Sequence, residues 1–300
     1  MKFAVIGEGV IDRFILQGGA TDVIGGSGLN TAIAGKRAGL DIVWATLSSR
    51  SANGRKIAQA AIEGGVLSDE IVLDYATPLV EIRTNSAGVP DYTLELEGAV
   101  DWQWTPESLQ KFIDVDVLHL TSLSALMAPG ADVIFEFLKS RPPRMLLTYD
   151  PNARPSVFAT HDEATYARNR IEDLVLLADI VKVSDEDLSW ISTSPISETA
   201  ERWSLEGPKF VVVTLGEKGI TVYCEGKRTI SIDGFKVEVV DTVGAGDTLM
   251  AWLLRTIDTS NGIPSEEELL QGLQLAAKAA AITCSRQGAN PPTALEVLQS

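Results

Sequence analysis

Asp241-Thr242-Val243-Gly244-Ala245-Gly246-Asp247, continued by Thr248-Leu249-Met250-Ala251-Trp252-Leu253-Leu254, is the stretch on which the fold reading turns. Ahead of it, Phe235-Lys236-Val237-Glu238-Val239-Val240 alternates and is rich in β-branched residues, which predicts a strand. Behind it, apolar residues at 249, 250, 253, 254 and 257 keep helical spacing. Strand, glycine turn and helix start form the geometry of an anion hole. Small residues let backbone N–H groups approach a phosphate, and the helix dipole favours negative charge there. Asp247 stands where it would repel such an anion unless it has a task, and taking a proton from an attacking hydroxyl is that task. Read alone, the turn also fits an ordinary N-cap with ordinary turn glycines.

Working outward, composition narrows the classes. Three hundred residues with 45% apolar content suit a globular protein with a large core. A net charge of −16 with no basic stripe argues against nucleic acid as a partner. Cys224 and Cys284 are far apart and lack metal-ligand spacing, which fits a reducing compartment. Met1-Lys2-Phe3-Ala4-Val5-Ile6-Gly7 reaches Glu8 too soon for a signal peptide, and no apolar run has the length of a membrane span. A cytoplasmic protein with no membrane partner is expected.

Strand and helix patterns alternate along the chain. Residues 2–7, 42–47, 115–120, 145–149, 180–183 and 210–214 read as buried strands. Helices are expected over 29–38, 53–63, 131–139, 162–177 and 185–191. This alternation predicts an α/β fold with a mostly parallel sheet covered on both faces. Residues 14–24 and 80–97 alternate without intervening helices and predict a small antiparallel flap. Ser194–Thr199 and Asp258–Ser265 read as short loops.

Other glycine patterns fail familiar tests. Gly7-Glu8-Gly9 follows a strand, but Asp12 stands where a dinucleotide fingerprint needs glycine. Gly35-Lys36-Arg37 lacks the spacing and the Ser/Thr of a Walker loop. Gly25-Gly26-Ser27-Gly28-Leu29-Asn30 fits either a capped loop or a backbone close to a polar ligand, with Asn30 bonding hydroxyls. Asp12 is expected at the carboxyl end of the first strand, where open α/β sheets bind ligands and a carboxylate suits adjacent hydroxyls. Asp150-Pro151-Asn152-Ala153-Arg154 is a turn or a polar cluster at another such end. Val211–Gly219 reads as a strand, a tight turn and a return strand. His119 reads as a core residue, and Trp102 and Trp104 as core or flap packing.

Taken in order, these blocks resemble the ribokinase family of sugar kinases, the PfkB-type carbohydrate kinases, and within it the fructokinase-like branch. The resemblance rests on Gly25-Gly26-x-x-x-Asn30-x-Ala32, Asp150-Pro151-Asn152-x-Arg154, Val181–Leu188, Val213–Gly219, Asp241–Asp247 and Gly288-Ala289 with Pro291-Pro292. It implies a three-layer α/β/α fold over residues 1–300 with a β lid from about 12–24 and 80–100. It implies ATP-dependent phosphoryl transfer to a sugar hydroxyl, with Asp247 as base and the amides of Gly244, Ala245 and Gly246 as anion hole. Asp12, Gly25, Gly26, Asn30 and Arg154 would hold the sugar. Lys182, Ser184, Thr214, Gly216 and Gly219, with Gly244 and Gly246, would flank the nucleotide. Asp187 would reach Mg2+ through water, and a monovalent cation such as K+ would sit near Asp241 and Val243. A homodimer through the lid is part of the same implication.

Departures bear on the substrate. Ser184 and Asp187 replace the family's Asn-x-x-Glu pattern, Arg50 stands where many relatives carry Asp, and Ala277 where many carry Asn. Arg154 and Arg50 could pair with a carboxylate, so 2-keto-3-deoxygluconate or another sugar acid is an alternative acceptor. A sugar- or nucleotide-binding regulator without catalysis is the alternative of another class.

Overall fold

The computed structural model describes residues 1–16, 19–68, 71–84 and 90–299. The chain enters as β1 (Lys2–Ile6), makes the hairpin β2 (Val10–Leu16) and β3 (Gly19–Gly25), and returns through α1 (Ser27–Arg37) to β4 (Asp41–Ala45). Strand β5 (Leu47–Ser49) and helix α2 (Ala52–Glu63) lead to β6 (Leu67–Ser68) and β7 (Ile71–Leu73). A second excursion gives β8 (Leu79–Thr84) and β9 (Pro90–Glu95). Then follow α3 (Pro106–Gln110), β10 (Val117–Thr121), α4 (Gly130–Lys139), β11 (Leu146–Asp150), α5 (His161–Leu177), β12 (Ile180–Ser184), α6 (Asp185–Ile191), α7 (Ile196–Glu206) and β13 (Phe210–Thr214). The hairpin β14 (Ile220–Cys224) and β15 (Lys227–Ile232) precedes α8 (Ala245–Ser260), α9 (Glu266–Cys284) and α10 (Ala294–Gln299).

The central sheet runs β15-β14-β13-β12-β11-β10-β1-β4-β6, parallel from β6 to β13, with β14 and β15 antiparallel. The parallel strands divide their apolar residues between two cores. Phe3, Val5, Phe210 and Val212 join the core under α1, α8 and α9. Ala4, Ile6, Val211 and Val213 join the one under α4, α5 and α7. Such two-sided burial is why these strands read as continuous apolar runs. β1 lies between β4 and β10, so the chain direction across the sheet reverses there. Open α/β sheets form their ligand crevice at that reversal.

A second sheet, β3-β2-β8-β9, stands off this body. It is not wholly antiparallel as expected, because β2 pairs parallel with β8 at its centre. Its two hairpins leave and re-enter the body separately, which sets their inner strands side by side in one direction. Asp22, on β3, accepts from Arg13 directly across on β2 at 2.7 Å and from Lys56 on α2 at 2.5 Å, tying this sheet to the body.

Five sequence expectations change. Residues 235–240 form no strand. β15 ends the sheet at Ile232, and the amides of Val240 and Asp241 donate instead to the Cys284 carbonyl at the end of α9. Asp12 lies within β2 rather than at the end of the first strand, because the chain stays extended after Gly9. Residues 42–47 divide between β4 and β5, which belong to different sheets. The loop read at 194–199 runs into α7, and α8 extends to Ser260 within the loop read at 258–265.

Candidate active site

Asp247 lies in the first turn of α8. The helix N-cap is Gly244, in the left-handed region at φ 77°, and a Cβ there would also meet the Ala289 Cβ at 2.7 Å. Only glycine takes this turn without strain. Asp247 is therefore not the cap, and its side chain is turned inward. Oδ1 accepts from the Ser27 hydroxyl at 2.7 Å and Oδ2 from the Asn30 amide at 3.0 Å. Both donors come from the first turn of α1, so two helix starts meet around one carboxylate. Burial raises the Asp247 pKa above the usual carboxylate range, and the donors Ser27 and Asn30 and the Lys182 charge oppose that rise.

The helix start is built to receive an anion. The amide of Ala245 turns to the Thr242 carbonyl at 3.3 Å. The next amides, of Gly246 and Asp247, belong to the first turn, whose donors have no partner within the helix. A Cβ on Gly246 would meet the Lys182 Nζ at 3.0 Å, so the missing side chain leaves room for that ammonium beside the turn. Lys182 pairs with Asp150 at 2.7 Å, both buried. Burial lowers the Lys182 pKa, but the Asp150 charge and hydrogen bond outweigh it and the net shift is upward. Lys182 thus stays cationic at the helix start.

A cavity of about 460 Å³ opens in front of Asp247. Glu8, Asp12, Asn30, Arg154, Lys182 and Asp247 are among its polar side chains, with Ser27 beside them, while Val80, Ile82 and Leu94 roof it from the second sheet. Register explains the roof: Asp12 pairs with Val80 and Phe14 with Ile82, so these side chains share one face. Phe14 and Val23 continue that face outward and remain 38% and 41% exposed. Burial raises the Asp12 pKa against the opposing Arg154 charge.

The structure gathers Asp12, Gly25, Gly26, Asn30, Arg154, Lys182, Gly244, Gly246 and Asp247 around this cavity. Thr214, Gly216 and Gly219 lie apart, on the β13–β14 turn. Asp187 lies beside the cavity, its oxygens accepting from the Ala153 amide at 3.0 Å and the Ser184 hydroxyl at 2.7 Å. Burial and then the Asp150 charge raise its pKa. Asp241 accepts from the amides of Val243 at 3.0 Å and Gly288 at 2.9 Å, joining two loops near the helix start. Arg50 pairs with Asp74 at the surface and does not border the cavity, and Ala277 is buried in the core under α9. His119 is buried against Thr148, and burial followed by the Lys182 charge lowers its pKa to about 3.

Sequence reasoning did not single out Glu8, Ser27 and Thr121. Glu8 follows β1, borders the cavity and accepts from the Ser27 amide at 3.3 Å. Ser27 and Thr121 share a 2.8 Å hydroxyl bond. The available signal was position, since Glu8 follows a strand, Thr121 ends one and Ser27 starts a helix at the carboxyl edge of the sheet.

Known proteins match this arrangement over nearly its whole length. The model of the pfkB family of carbohydrate kinases matches residues 5–295. Fructokinase-2 of Solanum habrochaites is 30% identical over 284 residues, covering 91% of this chain and 85% of that protein. Probable fructokinase-4 of Arabidopsis thaliana is 30% identical, covering 91% and 86%. Among solved structures, the fructokinase of Xylella fastidiosa with bound ATP superposes with a TM-score of 0.85 at 22% identity, covering 99% of this chain and 97% of that one. A double mutant of the fructokinase of Vibrio cholerae, in a form with fructose, ADP and potassium ion, gives a TM-score of 0.82 at 22% identity over 96% and 94%. Among the described residues no helix is long and apolar enough to cross a membrane. The match in sequence extends across both helix starts and the sheet that carries them, and the chain belongs to the pfkB family of carbohydrate kinases.

Proposed function

We propose that this kinase transfers the γ-phosphoryl group of ATP to a hydroxyl of fructose or a closely similar ketose. The observation that carries the reading is the Asp247 carboxylate, buried, held by two donors and facing a cavity of sugar size. As the sugar oxygen bonds to the γ-phosphorus, its proton passes to Asp247, the bond from that phosphorus to the bridging oxygen breaks, and ADP departs. The first-turn amides of α8 and the Lys182 ammonium face the charge on the phosphoryl oxygens, the interaction that dominates such catalysis. Asp12, Asn30 and Arg154 orient the sugar, and the second sheet acts as a lid that excludes water. The β13–β14 turn with Thr214, Gly216 and Gly219 flanks the nucleotide.

The residues beside Lys182 fit magnesium. Asp187 lies in the cluster with Asp150, whose Oδ1 is buried with no hydrogen-bond partner among the described residues. Mg2+ takes one or two carboxylates and keeps its remaining ligands from phosphate and water. Asp187 would hold it through water, and the ion would neutralise phosphate charge. A monovalent cation such as K+ would sit near Asp241 and Val243, where the Asp241 carboxylate joins two loops beside the helix start.

Fructose, other ketoses, aldoses, polyols and 2-keto-3-deoxygluconate in a coupled ADP-release assay test this reading. Fructose is expected to give the highest kcat/KM. Preference for the sugar acid would move the assignment to the sugar-acid kinases, although Arg50, half of the basis for that alternative, lies away from the cavity. Sugar binding by calorimetry without turnover would leave a regulator.

A further inference from the structure

We infer that Ser27 is a positioning residue for the base: its hydroxyl, locked by Thr121 as a donor, fixes the orientation of Asp247 and sets how readily that carboxylate takes the sugar's proton. The inference rests on the kinase reading.

Hydrogen counting gives the direction. An ionised carboxylate has no proton to donate, so the 2.7 Å contact between Ser27 Oγ and Asp247 Oδ1 uses the single hydroxyl hydrogen of Ser27. The Thr121 Oγ1, 2.8 Å from the same oxygen, must then donate to Ser27. The chain Thr121 to Ser27 to Asp247 points one way, and each bond polarises the next. Ser27 is 4% and Thr121 0% exposed, so water cannot easily replace either donor. At the other oxygen, Asn30 donates. The two bonds leave the remaining lone pairs of Asp247 for the sugar hydroxyl.

The placement of Ser27 is equally constrained. Its amide donates to Glu8 Oε1 at 3.3 Å, and the Leu29 amide to the Glu8 carbonyl at 3.4 Å. A Cβ on Gly28 would meet the carbonyl carbon and oxygen of Gly7 at 2.3 Å, so α1 starts in direct backbone contact with the end of β1. Ser27 therefore cannot follow Asp247 if the acid moves; the acid must settle on Ser27. Charged groups that face Asp247 from the surrounding elements are Lys182 and Asp150 on β12 and β11, Glu8 after β1, Asp12 on the lid and Arg154 after β11. None of them donates to Oδ1 in place of Ser27.

Removing the hydroxyl takes away one of two hydrogen bonds to the ionised acid, so the proton is held more tightly. For Ser27→Ala, the acid limb of the kcat/KM profile for the sugar is expected to move up by about one pH unit, with KM for ATP unchanged. Thr121→Val acts only through Ser27. It should move the limb less, and add almost nothing in the Ser27→Ala background. A superimposable Ser27→Ala profile, or a uniform loss of rate with the limb in place, overturns the inference, as does an additive double variant. A natural chain that phosphorylates no carbohydrate defeats the kinase reading itself and this inference with it. An active chain with an unmoved limb defeats this inference alone. Calorimetric sugar binding by Ser27→Ala confirms a folded site and keeps either outcome decisive.

Discussion

At the scale of single residues, one carboxylate does two opposed things. Asp247 is buried, which disfavours its charge, yet it must be charged to accept a proton. Its donors Ser27 and Asn30 resolve the conflict by stabilising the ionised form. For Asp247→Asn, turnover is expected to fall about 10³-fold, since proton transfer by a positioned base contributes 10²–10⁴. Thermal denaturation at neutral pH should show little loss of stability, because the neutral amide removes a charge the fold disfavours and so offsets the loss of one of the two accepted hydrogen bonds. Near-native turnover would remove Asp247 from the role of base. Asp247 was legible because its clue is local, a glycine turn followed by an acid. Ser27 and Asn30 lie 220 and 217 residues away along the chain, and no local pattern announces a contact at that separation. Glu8 was passed over as the middle of a failed fingerprint.

At the scale of elements, the start of α8 sets phosphate access against helix preference. Gly246 lies inside the helix, where alanine would favour it by about 0.5–1 kcal/mol. The same methyl would stand 3.0 Å from the Lys182 Nζ, which Asp150 holds in place. Gly246→Ala is therefore expected to match or exceed the natural chain in thermal stability while KM for ATP rises about tenfold. An unchanged KM would show that Lys182 moves aside freely. Elements also show where a sequence misleads. Residues 235–240 carry the period of a strand, but strand formation needs a neighbour with free hydrogen bonds, and the sheet has already ended at β15. The buried parallel strands were recognisable because burial on both faces leaves a continuous apolar run. The parallel β2–β8 pairing was not, since it joins excursions separated by α1 and α2.

Across the whole molecule, several acids are buried in and around the crevice. Asp101 accepts from the Gly9 amide at 3.0 Å, and burial first, then the nearby Glu8 charge, raises its pKa well above the usual range. Burial likewise raises Glu8. The sign follows from proton linkage. A raised carboxyl pKa means that the folded chain binds more protons than the unfolded one, so these acids destabilise the fold as pH rises through their folded values. Asp101→Asn keeps an oxygen for the Gly9 amide and removes the titration. Its thermal midpoint is expected to match the natural chain near pH 4 and to exceed it increasingly towards neutral and alkaline pH. A constant difference at every pH would show that Asp101 acts only through packing.

The imidazole of His119 carries a consequence for anyone who follows this enzyme by its pH behaviour. The chain has only two histidines. His119, held at a pKa of about 3, is electrically silent through the whole working range, and His161 begins α5 away from the cavity. An inflection of the rate near neutrality, the usual signature of histidine, would here report a carboxyl displaced upward by its surroundings or the terminal phosphate of the nucleotide. Chemical reagents directed at imidazoles should leave the reaction untouched.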